Sequence, residues 1–238
     1  MQNKTYITGD IHGKHDINKL NSKNFPKGKT LSKDDYVIIL GDFGLPWSAS
    51  GNKSDDYWLS WLKNKPWTTL FIDGNHENHS MLQELKIINK FNGKVGYVND
   101  SVYHLRRGEV YIINELKFFC MGGAKSTDKE NRKEWISWWS DEIPSFSEME
   151  YGLQNISNND YRIDVILSHT APTTVIRNFL FKFKLREYED RMKDATAMYL
   201  DEIYSLTVFK KWYCGHFHKN AKINNIHFLY DDIIEVGI

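Results

Sequence analysis

Short apolar runs rich in β-branched and aromatic residues recur along the chain, and each ends in glycine, a carboxylate, asparagine or histidine. The runs Tyr6 to Asp10, Tyr36 to Asp42, Thr69 to Asn75, Arg162 to His169 and Phe209 to His216 read as buried strands. Between several of them lie stretches with helical spacing: Asp55 to Lys63, Glu77 to Leu85, and Leu185 to Tyr204. In the last, Leu185, Tyr188, Met192, Ala195, Tyr199 and Ile203 share one face. From Lys94 to Cys120 the runs alternate with turn signals at Asn99-Asp100, Gly108 and Asn114-Glu115, which predicts antiparallel hairpins; Ala221 to Ile234 reads the same way. Strand–helix units followed by hairpins predict an α/β (α+β) fold, an αββα sandwich of two mixed β-sheets flanked by helices.

Composition narrows this picture. A chain of 238 residues, 41% hydrophobic with eight Trp, thirteen Tyr and thirteen Phe, has ample core material, and one domain spanning 1–238 is the expectation. Lys plus Arg equals Asp plus Glu, 31 each, so no overall field draws in long nucleic acid. Cys120 and Cys214 sit in apolar runs without metal-type spacing and read as core thiols, which suits a reducing cytoplasm. The start of the sequence has no signal-peptide pattern, and no apolar run approaches the ~18 residues of a membrane span, so a cytoplasmic protein without membrane contact is expected.

The candidate chemistry lies where the strands end: Gly9-Asp10-Ile11-His12-Gly13, Gly41-Asp42, Gly74-Asn75-His76-Glu77, Ser168-His169 and Gly215-His216-Phe217-His218. Ligands of α/β sheets bind outside the carboxyl ends of strands, so these clusters can converge on one site. Imidazole nitrogen with carboxylate or amide oxygen, and no thiolate, suits a pair of divalent ions, with manganese expected first and iron, zinc, nickel or magnesium as alternatives. Asp10, His12, Asp42, Asn75, His169, His216 and His218 are the candidate ligands, and Asp42 is the candidate bridge. Asp-x-His and His-x-His place side chains two apart, a spacing that permits chelation.

In this order and spread, over about Thr5 to His218, the segments resemble the calcineurin-like metallophosphoesterase superfamily, and the overall look is similar to its small stand-alone bacterial and phage members. The resemblance implies that Asp10, His12, Asp42 and His218 hold one metal, that Asp42, Asn75, His169 and His216 hold the other, and that His76 is a catalytic histidine facing the phosphate. It also implies hydrolysis by in-line attack of a hydroxide held between the ions. Phosphoprotein phosphatases of the family extend the second motif to Gly-Asp-x-x-Asp-Arg, whereas Leu45 and Pro46 stand at those positions here. That departure favours a phosphodiesterase acting on small, nucleotide-type phosphate esters; a phosphomonoesterase is the alternative, then a non-catalytic scaffold, and a nuclease is disfavoured by the neutral charge.

Other residues receive plainer expectations. Lys125 and Arg132, after Gly122-Gly123-Ala124, are candidates to replace the absent arginine, set against a solvated loop. Trp135, Trp138 and Trp139 fit i, i+3, i+4 spacing and predict a core-facing helix stripe rather than a base-stacking surface. Glu77 is expected in the first turn of a helix, and Asp73 in turn chemistry rather than behind a metal-bound histidine. His15, His79, His104 and His227 are unassigned. The aromatic and basic mixture from Thr173 to Lys184 fits a substrate rim and an inward-packed helix equally.

Overall fold

The computed structural model describes residues 3–48, 52–185 and 192–237. In chain order they form β1 (Thr5–Thr8), β2 (Tyr36–Leu40), α1 (Lys53–Lys63), β3 (Thr68–Ile72), α2 (His79–Gln83), β4 (Lys86–Lys90), β5 (Gly93–Asn99), β6 (Val102–Leu105), β7 (Val110–Ile113) and β8 (Leu116–Met121). After these come α3 (Phe146–Ser157), β9 (Arg162–Ser168), α4 (Thr173–Phe183), α5 (Ala195–Leu206), β10 (Val208–Cys214), β11 (Ala221–Ile223), β12 (Ile226–Phe228) and β13 (Ile233–Glu235).

The strands make two mixed sheets, ordered β13-β1-β2-β3-β6-β5-β4 and β11-β12-β10-β9-β8-β7. The central strands β1, β2, β3 and β6 run parallel, as do β8, β9 and β10, and antiparallel strands close the edges. Alternation along each strand sorts the side chains into layers. Ile38, Leu40, Leu70 and Ile72 of the first sheet pack with Phe118, Cys120, Val165 and Leu167 of the second. On the outer face of the first sheet Val37, Ile39 and Phe71 meet Leu62 of α1 and Leu82 of α2. On the outer face of the second, Phe119, Ile166 and Trp212 meet Ile176 and Phe179 of α4 and Leu200 and Ile203 of α5. The expected αββα sandwich is what forms, and both cysteines are buried thiols within it. No helix among the described residues is long and apolar enough to cross a membrane.

Two helical expectations fail for local reasons. The stretch Leu185 to Tyr204 is not one helix. Lys184 adopts a left-handed φ of 55° and ends α4, and the Asp194 side chain accepts from the Thr196 N–H at 2.9 Å to start α5; Tyr188 lies outside the described residues. Trp135, Trp138 and Trp139 lie on no helix. Ser137 and Trp138 both donate backbone N–H groups to the Lys133 carbonyl, closing a tight turn that leaves Trp135 62% exposed at φ 63°, while Trp139 alone of the three is buried. The Thr173–Phe183 segment is a helix that packs Phe179 inward and leaves Phe181 exposed.

Candidate metal centre

Each predicted residue sits just past the carboxyl end of a strand: Asp10 and His12 after β1, Asp42 after β2, Asn75 and His76 after β3, His169 after β9, and His216 and His218 after β10. Because β1, β2, β3, β9 and β10 point the same way within their sheets, these turns gather at one end of the sandwich. The gathering demands unusual backbone. His12, Asp42, His216 and His218 have φ of 41°, 47°, 67° and 46°, a left-handed conformation that costs a non-glycine residue about 1–3 kcal/mol. Glycine makes room beside them: a methyl at Gly74 would run into the Asp42 carboxylate, and one at Gly41, itself at φ 90°, into the His169 ring.

Ligating atoms of Asp10, His12, Asp42 and His218 all lie within 4.8 Å of one another. His12 Nε2 is 3.3 Å from Asp42 Oδ2, and His218 Nε2 is 3.1 Å from Asp10 Oδ2. On the other side of Asp42, His169 Nε2 lies 3.3 Å from Asp42 Oδ1 and 3.1 Å from Asn75 Oδ1, and the His216 ring meets that of His169 at 4.9 Å. The Asp42 carboxylate is thus shared, one oxygen to each group.

Hydrogen bonds on the far side of these residues fix which atom faces inward. His169 Nδ1 donates to the Leu40 carbonyl at 2.7 Å and His12 Nδ1 to Asp16 Oδ2 at 2.7 Å, so each ring turns its Nε2 lone pair toward Asp42. Asn75 Nδ2 donates to Ser126 Oγ at 3.0 Å, and the Ser126 hydroxyl donates onward to Glu142, so the Asn75 oxygen also points inward. Lone pairs of His169, Asn75 and Asp42 therefore face one another, an arrangement that a cation or an added proton satisfies. The electrostatics agree. Burial pulls His12 and His169 down, but Asp42 and Asp10 outweigh it and hold them at about 9 and about 10. Burial likewise pushes Asp42 up, yet His169 and His12 hold it well below the ordinary carboxylate range. The donor set fits divalent ions of the kind expected from the residue types.

His76 stands at the edge of the cluster, its ring 5.6 Å from that of His12 and its main-chain N–H donating to Asp42 Oδ1 at 2.7 Å. Burial lowers its pKa, and the neighbouring Arg132 and His12 lower it further against the pull of Asp42. Arg132 lies 3.4 Å from His76 Nε2 and is anchored by Asp128 at 2.7 Å, whereas the main-chain N–H of Lys125 donates to Asp194 at 3.1 Å. The Arg132 side chain thus reaches the cluster at His76.

Several supporting residues escaped sequence reasoning. Glu77 is not in a helix first turn: α2 begins after Asn78, and the buried Glu77 carboxylate accepts N–H bonds from Phe43, Gly44 and Gly74 at 2.7, 2.9 and 3.3 Å. Burial and the Asp42 charge push its pKa up to about 8. Asp73 does more than turn chemistry, since His104 and Arg107 clamp its buried carboxylate at 3.1 and 2.6 Å; neither is part of the cluster. Lys19 Nζ ties the carbonyls of Gly9, Asp10 and Tyr230 together, and the Tyr230 ring stacks on His218 at 4.7 Å.

Comparison with known proteins agrees with this geometry. The family model of the calcineurin-like phosphoesterases matches residues 4–220. A lariat debranching enzyme of Entamoeba histolytica is 27% identical over 232 residues, an alignment covering 89% of this chain and 63% of the relative; the chain thus spans less than two thirds of that protein's length.

Proposed function

Since this chain belongs to the calcineurin-like phosphoesterase family and is a metal-dependent phosphoester hydrolase, we propose that it is a phosphodiesterase for nucleotide-type substrates. Asp10, His12, Asp42 and His218 would hold one divalent ion, and Asp42, Asn75, His169 and His216 a second, with manganese as the first choice among Mn, Fe, Zn, Ni and Mg. The observation that carries this reading is the Asp42 carboxylate shared between two groups of inward-facing lone pairs. Two ions held there supply Lewis acidity that makes hydroxide available near neutral pH and offsets charge growing on the phosphoryl oxygens.

The chain's own residues do the rest. Arg132 is set to meet the phosphoryl oxygens, a contact that draws its guanidinium off His76 Nε2; that nitrogen can then take up a proton from solvent and pass it to the departing oxygen, worth about 10²- to 10⁴-fold. A phosphomonoester dianion asks for more positive charge than a diester anion, and the uncharged Pro46 stands where the phosphate-binding arginine would be. The similarity to a lariat debranching enzyme supports a nucleic-acid-type substrate. Two buried thiols suit the cytosol as the place of work.

Bis-p-nitrophenyl phosphate and p-nitrophenyl phosphate, assayed with Mn²⁺ and with a chelator, test the reading. Chelator-sensitive preference for the diester is expected; preference for the monoester overturns the diesterase assignment, and activity indifferent to chelation overturns the metal pair. His76→Ala is expected to slow nucleoside-releasing substrates far more than p-nitrophenolate-releasing ones, and equal losses would remove its acid role.

A further inference from the structure

Beside the cluster, on the side of His12 and His76, the surface opens into a cavity of about 410 Å³, within the roughly 300–1,000 Å³ of small-molecule sites. Its inner wall is the edge-to-face pair of His12 and His76. Leu45 and Trp47 line it from the loop after β2, Lys14 from the loop after β1, and Ser54 from the first turn of α1.

The Trp47 indole is fixed from behind. The ring meets Trp139 edge to face at 5.6 Å, and the backbone that carries it is pinned: the main-chain N–H of Trp47 donates to the buried Asp55 at 2.9 Å, and its main-chain carbonyl accepts from Asn78 at 2.6 Å. A ring held in this way presents a preformed stacking surface, so little ordering is lost when a ligand arrives.

We propose that this cavity receives the departing nucleoside, with its base against Trp47 and its sugar toward the Ser54 hydroxyl; the assignment rests on the phosphodiesterase reading above. Because His76 faces the leaving oxygen in that reading, whatever fills the adjoining cavity is the group that leaves. An alkyl group would call for a wholly apolar lining, which Lys14 and Ser54 contradict. A flat heteroaromatic ring carrying hydroxyls uses both the indole face and the polar rim.

The test is isothermal titration of adenosine into the protein, beside hydrolysis of bis-p-nitrophenyl phosphate by the wild type. Trp47→Ala is expected to weaken adenosine binding about tenfold, and Trp47→Phe to restore most of it. Ser54→Trp, at an exposed position of α1, is expected to fill the cavity and abolish binding; it carries the test should Trp47→Ala fail to fold. A wild type that hydrolyses the diester yet does not bind adenosine, or variants that bind it as the wild type does, would overturn the pocket and leave the phosphodiesterase intact. Loss of diester hydrolysis by the wild type would instead sink the parent reading.

Discussion

The two groups of residues that meet at Asp42 differ in how they are held. Asn75, His169 and His216 are buried at the strand ends, and their partners are themselves buried: the Leu40 carbonyl for His169, Ser126 and behind it Glu142 for Asn75, and the Asp10 carboxylate for the main-chain N–H of His216. His12 and His218 keep 19% and 48% of their side-chain surface, and their partners, Asp16 and Tyr230, lie near the surface. One half is part of the core; in the other Asp10 is buried too, but His12 and His218 form a rim that solvent and substrate reach. A site built this way ties the integrity of its inner half to the stability of the fold and leaves its outer half adjustable.

Removing what the halves share gives the largest effect. Asp42→Asn removes the one carboxylate of the inner group and one of the two in the outer group, and is expected to lower hydrolysis of every substrate on the order of 10³-fold, with metal content by elemental analysis falling below two ions per chain. Next comes the inner half. Ser126→Ala frees the Asn75 amide and deprives the buried Glu142 of a donor, so a loss of about 1–3 kcal/mol in denaturant unfolding is expected, along with roughly 10- to 100-fold weaker binding of one ion. Asp16→Asn sharpens the comparison: the same weakening of binding is expected, but stability within about 0.5 kcal/mol of the wild type. A large stability loss there would erase the distinction between core and rim. Tyr230→Ala, which removes the ring stacked on His218, is expected to have the smallest effect, a few-fold in metal affinity.

The same contrast explains what could be read from the residues alone. The strands and their terminal Asp, Asn and His residues announce themselves because each motif is local: an apolar run, a glycine, then a polar residue. Asn75-His76 and His216-Phe217-His218 need no partner elsewhere to be recognised. Glu77, by contrast, holds amides 33 and 34 residues away, and Ser126 meets Asn75 across 51. No periodicity marks such pairs, so Glu77 looks like an ordinary helix-start carboxylate and Ser126 like a loop residue. The tryptophans near 135 mislead for the opposite reason, since the spacing of a helix face arises equally in a turn whose N–H groups are satisfied by the Lys133 carbonyl. Left-handed φ at four of the seven cluster residues is also silent in the sequence, because only glycine advertises it.

The pairing of β1 with β13 carries a consequence for biosynthesis. Thr8 lies against Ile233, and the Lys19 ammonium ties Asp10 to Tyr230, although more than two hundred residues separate the partners. A nascent chain leaving the ribosome therefore exposes Asp10 and His12 long before the segment that locks them arrives. Hydrolytic competence should switch on late and all at once, sparing the cell a half-made enzyme that captures metal and cleaves indiscriminately.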